Sequence, residues 1–351
     1  MLERLSELRQ PTDRVFDADV HIHEQPSDLA PFCEMPWRRV LEGDTGPERW
    51  LDVPGYSPLT PLDPLVGDFP ETDVHRVTTA DGLRADLDAR GVDGCLMITD
   101  RLIGLGSTQD RDYAVAIAGA YNRYLREKWL DPARGLHGAV LMAGQDPEAA
   151  ADELRAYAGV PGVAAALLSL VNVMPFYGDP FYDPIYAAAA ETGLPVVFHG
   201  ATTYGNVFPY QTQHYDTATA RAALAQPLGA IAHLTSLVTS GAFRRHPRLK
   251  VLFCEAGLRW LPFVRDQVAA QRPYLPREAV DPDWTARVWT TTHPVAGDLA
   301  RLVEDVGADQ VLFASDWPHY DRAEPAALDV LPQETRTKVL SASSRNVLRL
   351  S

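Results

Sequence analysis

Two histidines and an aspartate alternate along one short segment near the start of the chain. In the stretch FDADVHIHE, Asp19, His21 and His23 occupy every second position. On a β-strand alternate side chains share one face, so both imidazoles would point in the same direction. Neutral imidazole nitrogen binds zinc, iron, nickel or manganese, whereas a hydrogen-bonded buried pair is the alternative interpretation. The spacing indicates half of a metal site.

Three residues from distant segments extend this set. His199 closes the run VVFHG, His233 lies in AIAHL, and Asp316 follows the last apolar run in LFASDWPH. Each alone has an ordinary explanation, as a core histidine or as a helix N-cap. Together they favour one shared site. Asp316 could bind the ion and accept a proton from metal-bound water, whose pKa a zinc ion lowers to about 7.

Short apolar runs alternate with helix-like segments along the whole chain, which is typical of a parallel sheet with crossover helices. We predict helices for ADGLRADLDARG, DPEAAADELRAYAG and DPIYAAAAETG. Eight runs are candidate strands: 15–23, 93–98, 135–142, 162–170, 194–200, 229–234, 250–257 and 310–316. Eight such units predict a (β/α)₈ TIM barrel. A doubly wound sheet is the alternative, but it usually carries a Gly-rich phosphate loop after its first strand.

Length and composition suit one large domain. The 351 residues are expected to form a single barrel domain, 1–351. Residues 24–80 are rich in proline and lack sustained periodicity, so we predict a long loop after strand one that acts as a lid.

Charge and cysteine content narrow the function classes. A formal net charge of −15 disfavours nucleic acid and anionic membranes as partners. Three widely spaced cysteines indicate neither a disulfide framework nor a cysteine-based zinc site. No apolar run approaches the roughly 18 residues of a membrane span. We therefore expect a cytoplasmic protein that acts on a small molecule.

The DxHxH opening, the VFHG segment, the AIAHL histidine and the SDWPH ending together resemble the amidohydrolase-related metal-dependent enzymes. This family includes aminocarboxymuconate semialdehyde decarboxylase, and the resemblance spans nearly the whole chain. It implies one or two divalent ions, with zinc the first expectation and manganese or iron the alternatives, bound by His21, His23, His199 and Asp316. It also implies that His233 is the catalytic acid/base or a ligand of a second ion, and that the protein is a homo-oligomer.

Two departures from the family pattern bear on the reaction. In the decarboxylase branch, glycines typically follow the strand-six histidine, whereas Leu-Thr-Ser-Leu follows His233. This difference favours hydrolysis. The fourth run contains no lysine that could bridge two ions, so Asp19 or Glu255 would have to do so. An ion pair between Glu255 and Arg259 is the alternative.

Our first hypothesis is a metal-dependent hydrolase of a small ester, thioester, lactone or amide, with His233 and Asp316 as catalytic residues. The alternative is a non-oxidative decarboxylase of a small or aromatic carboxylic acid. A catalytically silent barrel that binds a partner is a third hypothesis, and it predicts a missing ligand. Candidate substrate-binding residues are Arg38, Arg101, Tyr204, His214 and Arg259.

Overall fold

The computed structural model describes residues 14–43, 77–170, 175–200, 218–295, 297–319 and 321–350, and for 218–222 the backbone alone. Within these residues eight parallel strands form one sheet in sequential order. Their bounds are β1 Phe16–Ile22, β2 Gly94–Thr99, β3 Leu136–Leu141, β4 Val163–Ser169, β5 Val196–His199, β6 Val251–Phe253, β7 Val288–Thr291 and β8 Val311–Leu312.

The last strand returns to the first. The Ala18 amide donates to the Phe313 carbonyl at 2.9 Å, and the His21 amide donates to the Trp317 carbonyl at 2.8 Å. These bonds join the segment after β8 to β1, so the sheet closes into a (β/α)₈ barrel. The predicted fold class is confirmed.

Helices connect the strands and bury their apolar faces in the core shared with the barrel. In the helix after residue 79, for example, Leu83 and Leu87 are fully buried. The helices described are α1 Pro26–Leu29, α2 Arg38–Glu42, α3 Ala80–Ala89, α4 Arg111–Lys128, α5 Pro147–Tyr157, α6 Asp183–Thr192, α7 Ala218–Thr239, α8 Ala242–Arg245, α9 Trp260–Gln271, α10 Leu299–Val306, α11 Gln333–Thr337 and α12 Ser343–Val347. The three helices predicted from sequence correspond to α3, α5 and α6.

One strand assignment from the sequence is wrong, and one strand was missed. Residues 229–234, predicted as strand six, lie inside α7. A short apolar run fits a buried helix as well as a buried strand, and periodicity alone does not separate them. Conversely, β7 was missed because two of its four residues, VWTT, are threonines, so it does not form an apolar run. The predicted number of strands is right because these two errors compensate.

The predicted lid is only partly within the described residues. Residues 24–43 contain α1 and α2, while 44–76 lie outside the described residues, so the lid stays a prediction. In the part of the chain that the structure describes, no helix has the length and apolar character to cross a membrane.

Candidate metal centre

Four side chains converge at the carboxyl ends of β1, β5 and β8. Asp19, His21, His199 and Asp316 each offer one ligand atom, and these atoms lie within 4.8 Å of one another. All four residues are buried. Barrel closure brings the first and last segments together, because the Asp316 amide donates to the Asp19 carbonyl at 3.2 Å. We call this group the four-residue cluster.

Hydrogen bonds fix the orientation of both imidazoles. Nδ1 of His21 lies 3.2 Å from the Thr99 carbonyl, and Nδ1 of His199 lies 2.5 Å from the Gly200 carbonyl. A carbonyl oxygen only accepts, so each Nδ1 carries a hydrogen and each Nε2 is left for the cluster. This is the arrangement of metal-binding histidines, whose second nitrogen is usually tied to a carbonyl or carboxylate.

The polar atoms at the centre of the cluster favour binding of a cation. Nε2 of His21 lies 3.1 Å from Asp316 Oδ1, and Nε2 of His199 lies 3.4 Å from Asp19 Oδ2. Within the described residues, neither nitrogen has a partner with hydrogen-bond geometry, and nor does either Asp19 carboxylate oxygen. Leaving buried polar atoms unpaired is costly, and a divalent cation between them would satisfy all of them. The residues therefore fit a metal ion.

The pKa shifts agree with cation binding. Burial opposes the charged forms of Asp19 and His21. Even so, His199 and His21 lower the pKa of Asp19 to about 2. Burial and His319 oppose protonation of His21, yet the Asp19 and Asp316 carboxylates raise its pKa to about 10. Asp19 is thus ionised at neutral pH, as a metal ligand must be, and an ion that binds Nε2 of His21 would displace the proton from it.

Two acidic residues at strand ends adopt left-handed backbone conformations. The φ angle is 62° at Asp316 and 56° at Glu255. For residues other than glycine this conformation costs roughly 1–2 kcal/mol, and such strain concentrates at functional sites. The strained turns aim both side chains toward the barrel mouth.

Glu255 borders the cluster and is more accessible than its members. Its Oε2 accepts from the Gln226 amide at 2.6 Å and lies 3.6 Å from Nε2 of His199. Its side chain is 16% exposed, compared with 1% for that of Asp316. Burial and then the Asp316 charge raise the pKa of Glu255 well above its usual range. Arg259, its proposed ion-pair partner, is exposed and lies against Gly297.

His233 comes from α7 and not from a strand end. Its ring lies between those of Phe176 and Tyr177, at centroid distances of 5.3 and 4.9 Å, and its Nδ1 accepts from the Tyr177 amide at 3.3 Å. Burial lowers its pKa to about 3. The ligand groups found among the described residues do not include it. Its catalytic role stays a prediction.

The structure does not bring His23 into the four-residue cluster. Because β1 ends at Ile22, the next residue leaves the face that Asp19 and His21 share. Nδ1 of His23 lies 2.5 Å from Asp100 Oδ2, and its Nε2 accepts from Arg101 at 3.1 Å. Two predicted site residues, His23 and Arg101, are therefore together, beside the cluster.

The other predicted substrate-binding residues are scattered or outside the described residues. Arg38 donates through Nε to the Cys33 carbonyl at 2.8 Å. Tyr204 and His214 lie outside the described residues. Their roles, like that of the exposed Arg259, stay predictions.

Three residues of the site were missed from the sequence. Asp100 follows β2 directly, which is the same signal that identified His199. His319 belongs to the SDWPH motif, and its Nδ1 lies 2.7 Å from Asp316 Oδ1. His293 follows the missed strand β7, and with Glu255 and Asp316 it forms a second group of close ligand atoms. Its Nε2 donates to the Asp321 carbonyl at 3.1 Å.

The amidohydrolase family profile matches residues 18–350. This chain belongs to the amidohydrolase family. One relative, gamma-resorcylate decarboxylase from Rhizobium sp. (strain MTP-10005), is 25% identical over 87% of this chain and 95% of its own length. An amidohydrolase from Mycobacterium avium subsp. paratuberculosis has a TM-score of 0.74 at 21% identity, covering 95% of this chain and 99% of its own. The manganese-bound 5-carboxyvanillate decarboxylase of Novosphingobium aromaticivorans has a TM-score of 0.70 at 20% identity, covering 96% of each chain.

These similarities overturn our first functional hypothesis. The named relatives of this amidohydrolase are decarboxylases, so the hydrolase of esters, thioesters, lactones or amides is the wrong assignment. The sequence argument against decarboxylation treated His233 as a strand-six residue, but β6 is in fact followed by Cys254 and Glu255. A divalent metal is supported, whereas the preference for zinc is not, because similar decarboxylase structures contain manganese.

Proposed function

We propose that this amidohydrolase is a metal-dependent decarboxylase of a hydroxylated aromatic carboxylic acid. One observation carries the proposal: a chain similar to gamma-resorcylate decarboxylase over most of its length has a buried two-histidine, two-carboxylate cluster at the barrel mouth. Functional residues of this fold assemble at that end of the barrel. The expected partner is a small molecule.

We expect the four-residue cluster to hold one divalent ion, with manganese favoured. Carboxylates suit manganese and imidazoles are accepted by it, so the mixed ligand set is compatible. A second ion at Glu255 and His293 is disfavoured, because Glu255 Oε2 already accepts from Gln226. In addition, burial and the nearby Asp316 charge raise the pKa of the Glu255 carboxyl, which opposes the ionised form that a metal ligand needs. When bound, the ion supplies positive charge that orients and polarises the oxygens of an anionic substrate.

Decarboxylation requires a proton at the carbon that loses its carboxylate. The carbon–carbon bond breaks, its electron pair stays with the ring, the proton takes the place of the carboxylate, and carbon dioxide leaves. Glu255 is suited to deliver that proton because burial and the Asp316 charge raise its pKa, its side chain is 16% exposed, and its Oε2 lies 3.6 Å from Nε2 of His199. The Gln226 amide holds its Oε2, which leaves Oε1 for the proton.

The test incubates purified protein, supplied with Mn²⁺, Zn²⁺ or Fe²⁺, with 2,6-dihydroxybenzoate or 5-carboxyvanillate. Consumption of each acid is measured as carbon dioxide release and as loss of its ultraviolet absorbance. We expect turnover with manganese, and loss of both bound metal and turnover in His199→Ala. Arg301→Ala is the control, because its exposed side chain pairs with Asp305 within α10 and contacts no residue of the cluster. A metal-loaded protein that leaves both acids intact would refute the proposed substrate class.

A further inference from the structure

A chain of hydrogen-bonding side chains leads away from the four-residue cluster on the side of β2. Nδ1 of His319 lies 2.7 Å from Asp316 Oδ1, and its Nε2 lies 3.2 Å from Asp100 Oδ1. The other Asp100 oxygen lies 2.5 Å from Nδ1 of His23. One carboxylate therefore joins two histidines, and one of these contacts a cluster aspartate.

We propose that Asp100 is a positioning residue for the metal centre, acting through His319 on Asp316. Both nitrogens of His319 face carboxylate oxygens, so both donate. Asp100 thus fixes the plane of the His319 ring and keeps its Nδ1–H directed at Asp316 Oδ1. With that hydrogen bond in place, Asp316 Oδ2, which is buried and has no hydrogen-bond partner among the described residues, is left for the ion.

Asp100 is itself firmly held, which a positioning residue must be. Its backbone amide donates to the Ile22 carbonyl at 3.2 Å and to Glu24 Oε2 at 3.3 Å. Oε1 of the buried Glu24 accepts from the amides of Arg101 and Leu102, at 3.1 and 2.8 Å. The turn after β2 is therefore anchored to the segment after β1.

The other end of this series of hydrogen bonds, at His23, is also fixed. Nε2 of His23 accepts from Arg101, so its Nδ1 carries the hydrogen that goes to Asp100. His23, predicted as a ligand, therefore contacts the residue that we propose positions the metal centre. Residues that hydrogen-bond to metal ligands typically contribute about 10- to 100-fold to metal affinity.

The proposal rests on the metal centre of the proposed function, so its test measures Mn²⁺ binding by titration calorimetry without substrate. We expect Asp100→Asn to weaken Mn²⁺ binding about ten-fold or more. His319→Asn retains a donor where Nδ1 stands but removes the atom that faces Asp100, so it should weaken binding similarly. If Asp100 acts through His319, the double variant should be no weaker than the poorer single variant, within about three-fold.

Asp183→Asn is the matched control, because Asp183 also joins a histidine and an arginine, His246 and Arg245, but contacts no cluster residue. It should leave Mn²⁺ affinity unchanged. Should Asp100→Asn fail to fold, His319→Asn alone tests the same link. Unchanged affinity in these variants, or effects that multiply in the double variant, would overturn the inference. A wild-type protein that binds no Mn²⁺ would instead refute the metal assignment itself.

Discussion

The pKa values of Glu255 and His233 shift in opposite directions. Burial disfavours charge, so it raises the pKa of a carboxyl group and lowers that of an imidazole. The pKa of Glu255 is accordingly well above its usual range, and that of His233 is about 3. The shift favours the protonated form of Glu255, which can give a proton, whereas it keeps His233 neutral.

Glu255→Gln should therefore reduce kcat by about 10²- to 10⁴-fold, the usual contribution of a general acid, and leave Mn²⁺ binding intact. The glutamine preserves shape and can still contact Gln226, but it has no acidic proton. His233→Asn should lower kcat less. Steady-state kinetics of both variants beside metal titrations distinguish the two residues, and a larger loss in the histidine variant would return the acid role to His233.

Among the helices, α7 carries both His233 and Gln226, so its position sets where these two side chains lie. Its approach to the chain after β4 is very close at one point. A Cβ on Gly178 would lie 2.2 Å from the Ser236 carbonyl oxygen, and the Gly178 amide donates to Ser236 Oγ at 3.1 Å. Only glycine permits this contact without moving α7.

Gly178→Ala should destabilise the fold by roughly 1–3 kcal/mol, as overpacking does, because the clash is with backbone and not with a mobile side-chain end. Thermal unfolding of the metal-loaded protein measures this. Gly159→Ala is the control, since a Cβ there meets no atom within 4 Å and the φ of Gly159 is not positive. Equal melting temperatures for the two variants would contradict the packing argument.

For the whole molecule, the cluster ties together strands that are far apart in sequence. Asp19 and His21 come from β1, His199 from β5 and Asp316 from the segment after β8. An ion that binds them only when the barrel is closed stabilises the closed state by mass action. Metal content and global stability should therefore change together.

Removal of metal with a chelator should lower the melting temperature. The lost stabilisation is about 4 kcal/mol when free metal had been at 1,000 times its Kd. Differential scanning calorimetry with and without Mn²⁺ measures the shift. In His199→Ala the two curves should coincide, and a persistent Mn²⁺-dependent shift in that variant would show that the ion binds elsewhere.

Much of this architecture follows from local patterns in the sequence. The alternation of apolar runs and helical segments predicted the barrel, and polar residues directly after such runs identified His21, His199 and Asp316. These signals are local, because the residues at the carboxyl end of a barrel strand always lie at the same end of the barrel. They can therefore be recognised without knowledge of contacts between distant segments.

Tertiary structure alone decided the rest. From the sequence, Asp19, His21 and His23 were all candidate ligands. Only the closed barrel shows that Asp19 lies in the cluster while His23 lies against Asp100, since the end of β1 depends on its pairing with β2 and the last segment. Likewise, residues 229–234 lie in α7, and β6 is followed by Cys254 and Glu255 where a histidine was expected. An apolar run indicates that a segment is buried. Whether it is buried as a strand or as a helix depends on the segments that pack against it in the folded protein.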